Sequence, residues 1–309
     1  MTPEPASGSV SARILGVGIA TLDLINTVAS YPVEDAEVRA LSQRRARGGN
    51  AANTLEVLAQ LGHRCRWTGT LGADAAADFI RADLALRQID IRHRVSVPCG
   101  VTPTSYITLS RATGSRTIVH YRDLPELTAA DFARLPLGDL DWIHFEGRNP
   151  AETARMLARV RREAPGIGVS VELEKDRPGI EALLDGPDVL LVSRAFVLAR
   201  FGPPARPVEA LADLAAGTAA RLLVLGWGAE GAWLWERGGE PRQVPSAPPT
   251  RVVDTLGAGD ALNAGVIDGL VRDLPAWEAV SRAVRLAGIK CGHVGLSGLV
   301  DTARAQGFR

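Results

Sequence analysis

Short apolar runs alternate along this chain with segments of helical periodicity, and that alternation restricts its fold more than any other feature. Runs at 13–19, 66–71, 91–97, 142–149, 168–173, 189–192 and 221–225 read as strands, several of them apolar enough to be buried on both faces. Helical segments are expected after the glycines at 48–49 (Leu55, Leu58 and Leu61 on one face) and at 74–87, 151–163, 194–200 and 207–219. Two more follow from Asp260 (Leu262, Val266, Ile267, Leu270) and over roughly 275–290, with an HVG–LSG tail closing the fold. Strands interleaved with helices imply a mostly parallel sheet covered on both faces, the α/β class.

Two regions break the alternation. Residues 25–47 read as strand–turn–strand around Pro32, and residues 101–121 as a hairpin about Thr113-Gly114-Ser115. Paired, they would make a small separate sheet, a lid inserted at about 25–47 and 100–122. A late hairpin is expected at 233–235 and 242–244. No repeat, low-complexity run or linker divides the 309 residues, so a single α/β domain over 1–309 is expected.

Composition excludes several classes of partner. Thirty-five basic residues balance thirty-five acidic ones, leaving no global field for nucleic acid. No stretch approaches the roughly 18 apolar residues of a membrane span. Cys65, Cys99 and Cys291 are odd in number and far apart, which suits free thiols in a reducing cytoplasm. The leading MTPEPASGSVSA lacks the regions of a signal peptide and reads as a flexible lead-in. His144 has no second ligand at metal spacing and reads as a core histidine.

Chemistry concentrates in residues 251–263, RVVDTLGAGDALN. Gly257, Ala258 and Gly259 leave the first amides of a helix uncovered, where the helix dipole adds positive charge for an anion. Asp260 in the first turn is expected to stay ionised near neutral pH. An anion cradle beside a carboxylate base is what phosphoryl transfer to a hydroxyl requires. On these four residues alone, an ordinary loop before a helix reads the same way. Upstream, Gly48-Gly49 precede Asn50 and Asn53, which share one side of a helical turn. Amides donate and accept as sugar hydroxyls do, so the pair suits polyol recognition; a helix N-cap is the other reading of Asn50.

Asp23 follows the first strand, at the sheet edge where open α/β folds bind ligands. Gly226, Gly228 and Gly231 form a turn against which a nucleotide can lie. Arg116, just past the hairpin turn, is either a solvated charge or a group reaching substrate or phosphate. Arg148, at a strand end, suits a phosphate or a carboxylate partner. The pair Gly16-x-Gly18 lacks the third glycine of a dinucleotide fingerprint, and no P-loop motif occurs.

The run DTLGAGD, with the G-G-N-x-x-N of 48–53, resembles the signatures of the ribokinase-like (PfkB) sugar kinases. Longer stretches resemble the ketohexokinase branch of that family: LDLI, YPVEDAEVRALSQRRARGGNAAN, TGSRTI, WIHFEGRN, VSVELEK, PPTRVVDTLGAGDALNA and AGIKCG, spread over about 17–292. The resemblance implies a three-layer α/β/α sandwich with a mostly parallel central sheet and a small β lid. It implies an ATP-dependent kinase acting on a ketohexose such as fructose, with Asp260 as base and Gly257, Ala258 and Gly259 as anion hole. Asp23, Gly49, Asn50, Asn53 and Arg116 would hold the sugar. Asp35 would reach from one protomer's lid into its partner's sugar site, in a homodimer clasped through the lids. Gly226, Gly228, Gly231, Gly257 and Asn263 would line the nucleotide, with Mg²⁺ carried by its phosphates and K⁺ as a further candidate. Val28, Val38, Leu41, Tyr106 and Ile118 are candidates for the buried partner face.

The sequence also departs from the family. The N-x-x-E motif of many members is replaced by SRAF at 193–196, which leaves no identified anchor for the metal. Ribose, tagatose, 2-keto-3-deoxygluconate or a nucleoside remain open as acceptors. A catalytically silent sugar- or nucleotide-binding regulator is the alternative from another class.

Overall fold

The computed structural model describes residues 11–308, so the expected flexible lead-in falls, apart from Ser11 and Ala12, outside the described residues. Eight strands form the central sheet. In spatial order they are Arg242–Val244, Ala232–Glu236, Leu222–Gly226, Val189–Ser193, Gly168–Leu173, Trp142–Glu146, Arg13–Val17 and Arg64–Thr68. The last six run parallel, and the first two form an antiparallel hairpin at one edge.

Successive residues of a strand point to opposite faces, and here each face has its own core. Val189 and Leu191 join Leu222 and Val224 under one helix layer, while Leu190, Val192, Leu223 and Leu225 face the other. Helices Asn50–Gln60, Ala258–Val271, Ala276–Cys291 and Leu299–Ala305 contribute to the first core. Helices Pro150–Glu163, Arg194–Phe201 and Pro207–Ala216 contribute to the second. The architecture is the expected three-layer α/β/α sandwich. Among the described residues no helix is long and apolar enough to cross a membrane.

Small residues set the position of the Ala258–Val271 helix. A side chain on Gly265 would come within 2.6 Å of Ala283 Cα, and one on Gly269 within 2.5 Å of Ala279 Cβ. The two helices therefore pack almost backbone to backbone, which fixes the height of Asp260 over the sheet.

The second sheet has four strands in the order Ser42–Gly48, Thr21–Val28, Thr104–Ser110 and Arg116–Tyr121. Both expected excursions meet in it, through parallel pairing of Thr21–Val28 with Thr104–Ser110. Of the candidate partner-face residues, Val28 is buried within the chain, whereas Val38, Leu41, Tyr106 and Ile118 are exposed.

Three local expectations need correction. The run at 66–71 is two strands, because the chain bends at Gly69, where a side chain would collide with the Gly18 carbonyl. Thr70–Leu71 leaves the central sheet and pairs with Val95–Ser96, the only strand within 91–97. The closing tail contains the helix Leu299–Ala305, whose Leu299, Val300 and Ala303 are buried. Its amphipathic run is shorter than two turns and too brief to stand out by periodicity.

Candidate active site

The parallel strands all end on one side of the sheet, and a cleft of about 420 Å³ opens there. Gly226, Gly228, Gly231, Gly259 and Asn263 line it, with Arg116 leaning in from the four-stranded sheet. The turn glycines serve different ends. Gly231 has φ 95°, and a side chain on it would collide with the Val244 carbonyl, so packing alone demands glycine there. Gly228, at φ 65°, faces open space.

The helix carrying the proposed base starts at Ala258 rather than at Asp260, with Gly257 before it at φ 83°. That left-handed conformation is one glycine adopts without strain. Ala258 N donates to Thr255 O at 3.3 Å. Among the described residues, the amides of Gly257, Gly259 and Asp260 have no hydrogen-bond acceptor in the protein, and Gly259 has no atom near where a side chain would stand. Arg116 Nη1 donates to Thr255 Oγ1 at 3.2 Å, bridging the second sheet to this loop.

The two asparagines occupy the first turn of Asn50–Gln60, and neither caps it; the preceding position is Gly49, at φ 104°. A side chain on Gly49 would collide with the Ile19 carbonyl, and one on Gly48 with Asp23 and Thr21. Asn53 Nδ2 donates to Asp260 Oδ2 at 2.7 Å. Asn50 Nδ2 donates to Glu172 Oε2 at 3.0 Å, and Asn263 Nδ2 donates to Glu172 Oε1 at 3.1 Å. Asp23 accepts from Thr21 Oγ1 at 2.8 Å.

Burial dominates the electrostatics. It pushes Asp260 up to about 7, helped by Glu146 and Glu174 and opposed by the Asn53 hydrogen bond and the Arg47 charge. This corrects the expectation of a carboxylate fully ionised at neutral pH: desolvation outweighs the helix dipole. Glu146, whose Oε1 accepts from Ala51 N at 2.7 Å, is also pushed up to about 7 by burial. Glu172 is raised well above the ordinary range, by burial first and then by the neighbouring Asp260 and Glu146. Buried carboxylates so placed cannot all be charged, and Glu172 is the one that keeps a proton. Asp23 is raised too, by burial.

Sequence reasoning missed four of these residues. Glu146 closes the mostly apolar strand Trp142–Glu146 and Glu172 is next to last in the mostly apolar Gly168–Leu173, and an acid in such a run is costly unless it is used, a signal that was available. Arg47 and Glu56 carried none. Arg47 is buried, pairs with Glu56 and with Asp83 (2.7 Å), and through Nη1 donates to Asn53 Oδ1 at 2.8 Å. It turns the amide so that Nδ2 faces Asp260.

The remaining candidates lie elsewhere. Arg148 pairs with Glu126 at 3.1 Å, outside the cleft, taking the carboxylate option of its two readings. Asp35, at φ 63°, stands on an exposed loop of the second sheet, away from the cleft in its own chain. Ser193 caps a helix by accepting from Phe196 N at 2.9 Å, and Phe196 is buried in the core, so SRAF offers no carboxylate to a metal. His144 is fully buried against Ser170 Oγ at 2.9 Å and held neutral by desolvation, down to about 4. All three cysteines are free.

Comparison with known proteins bears on the family and the fold. A family model described as pfkB family carbohydrate kinase matches residues 11–303. A ketohexokinase from Mus musculus is 40% identical over 296 residues, covering 93% of this chain and 99% of that protein. Among solved structures, a ribokinase from Giardia lamblia superposes with a TM-score of 0.80 at 16% identity, covering 96% of this chain and 99% of that one. A ribokinase from Arabidopsis thaliana complexed with ribose and ATP gives 0.76 at 19% identity, covering 95% and 99%.

Proposed function

This chain belongs to the pfkB family of carbohydrate kinases and is an ATP-dependent sugar kinase, and from that premise we propose that its acceptor is a ketohexose, phosphorylated on the 1-hydroxyl as fructose would be. The observation that carries this reading is the Asn53–Asp260 contact at 2.7 Å, which joins the sugar-type asparagines to the base, together with the likeness to a ketohexokinase.

In this reading Asp260 orients the hydroxyl and takes its proton as the oxygen attacks the γ-phosphorus, while the bond from that phosphorus to the β–γ bridging oxygen breaks and ADP leaves. An affinity for protons near 7 suits a general base at neutral pH. The amides of Gly257, Gly259 and Asp260 stabilise charge on the phosphoryl group in flight, with Ala258 spacing them. Asp23, Gly49, Asn50 and Asn53 present polar groups to the sugar, and Arg116 closes over it from the lid. Gly226, Gly228, Gly231, Gly257 and Asn263 lie along the nucleotide.

The donor set fits a magnesium ion carried by the nucleotide. Among the described residues no cluster of three His, Cys, Asp or Glu side chains could hold a metal, while Glu172 offers one carboxyl to the cleft. Such an ion would be held by the nucleotide's phosphates and would neutralise their charge during transfer, with Asn263 Oδ1 and, once deprotonated, Glu172 as the oxygen donors the cleft could add.

The reading extends to assembly and location. The chain is one domain with a discontinuous lid. The exposed Val38, Leu41, Tyr106 and Ile118 support a homodimer clasped through the lids, which would carry Asp35 into the partner's sugar site. Free cysteines support a cytoplasmic home.

The test is ³¹P and ¹³C NMR of the product formed with Mg-ATP and fructose, in competition with tagatose, ribose, 2-keto-3-deoxygluconate and adenosine. Phosphate on the 1-oxygen of fructose, with fructose the preferred acceptor, supports the proposal. Preference for another acceptor replaces the ketohexose assignment and leaves the kinase chemistry standing.

A further inference from the structure

Lys290 is one of two lysines in the chain and is wholly buried, in the last turn of Ala276–Cys291. Long aliphatic amines are almost never found so deep unless the head group is fully paired. Its Nζ donates to Asp254 O at 2.8 Å and to His293 O at 3.0 Å, and lies 3.4 Å from Asp254 Oδ2. The ammonium therefore sits in a cage of two carbonyl oxygens and a carboxylate oxygen.

The cage is built from two loops, one on either side of it. Val253 N donates to Cys291 O at 2.7 Å, and Gly295 N donates to Asp254 Oδ2 at 2.9 Å. Asp254 Oδ1 accepts from Leu256 N at 2.9 Å, so the same carboxylate shapes the turn that leads to Gly257. Gly257 in turn abuts Leu296 of the second loop. Arg44, from the four-stranded sheet, is the other cation near Asp254, at 3.6 Å from Oδ2. Drawn together, these carbonyl and carboxylate oxygens would repel one another without a cation among them. An ammonium and a potassium ion are close in size and ask for the same oxygen donors.

We propose that Lys290 is a built-in monovalent cation: its tethered ammonium fills an oxygen cage that would otherwise suit K⁺ or NH₄⁺, and so holds the 254–257 loop in the shape that presents the amides of Gly257, Gly259 and Asp260. Lys290 is a positioning residue, acting through the loop and touching no reactant. The inference rests on the reading of those amides as the anion hole. It makes activity independent of added potassium, so the residues here fit a resident ammonium and not a free ion.

The experiment uses the full-length protein in a tetramethylammonium buffer, with two readouts. ADP release at saturating Mg-ATP and acceptor is followed as K⁺ is added, and the melting temperature is followed without acceptor. Wild type is expected to show no change in either. Lys290→Met is expected to lose about tenfold or more in kcat, in the range for a disturbed oxyanion donor, with the sugar KM little changed. K⁺ or NH₄⁺, but not Li⁺, should restore part of that rate and raise the melting temperature of the variant. Activation of wild type by K⁺, an unaltered kcat in Lys290→Met, or a variant whose rate and melting both ignore K⁺ would overturn the proposal. Should the variant fail to fold, the wild-type titration alone decides. A different preferred sugar would leave the test readable with that sugar, and the melting arm needs no acceptor.

Discussion

Asn53 Nδ2 stands 2.7 Å from Asp260 Oδ2, across 207 residues of sequence, and Arg47 Nη1 holds the other end of the same amide at 2.8 Å. A donor to the ionised form lowers a carboxyl's proton affinity, so this contact keeps Asp260 from being pushed higher still by burial.

Replacing Asn53 by Ala removes that donor. The acid limb of kcat/KM, which reports the free enzyme's base, should then move to higher pH from its position near 7. Activity measured on the acid side falls more than activity measured on the alkaline side. A pH–rate profile with an unmoved acid limb would show that Asn53 only binds sugar.

Glu172→Gln tests the neighbour of the base. Glutamine is neutral, as the proton-bearing Glu172 carboxyl is, so the acid limb set by Asp260 should stay where it is. Glutamine also turns an amide nitrogen toward one of the two donors Asn50 and Asn263, so KM should rise for the acceptor, the nucleotide or both. Steady-state kinetics across pH check both, and a shift of the acid limb to lower pH would show that Glu172 is charged while Asp260 titrates.

Much of this site was legible before any coordinates, though unevenly. Asp260 and Asn53 stand in short polar, glycine-flanked stretches where no core requirement masks them. Glu146 and Glu172 escaped notice because each lies in a strand whose apolar neighbours dominate the pattern, and Arg47 because one of three arginines in a polar strand looks solvated. Its burial arises only when the Asn50–Gln60 and Ala75–Leu86 helices bring Glu56 and Asp83 to it. The same limit applies to the fold: the alternation announced the parallel sheet, but the bend at Gly69 depends on the approach of Gly18, a contact between distant segments.

Gly259→Ala separates function from stability. The added methyl meets nothing within the protein, and alanine favours a helix by roughly 0.5–1 kcal/mol over glycine. Thermal denaturation should show equal or greater stability, while kcat falls about 10²-fold because the methyl lines the cleft where the phosphoryl group would pass. An active variant would place the anion elsewhere.

Arg47→Met tests the support beneath the base. It strands Glu56 and Asp83 without their buried partner, a change of about 3–5 kcal/mol in such settings. Urea denaturation should show a loss of that order, and a loss below about 1 kcal/mol would mean that the network relaxes through Arg87, which also pairs with both acids.

The most direct measurement is ADP release from Mg-ATP with fructose by wild type and by Asp260→Asn, alongside fructose binding by calorimetry. If Asp260 is the base, the variant loses about 10²–10⁴ in kcat while its fructose affinity stays within a few fold. A variant that turns over at close to the wild-type rate would contradict the account at its centre.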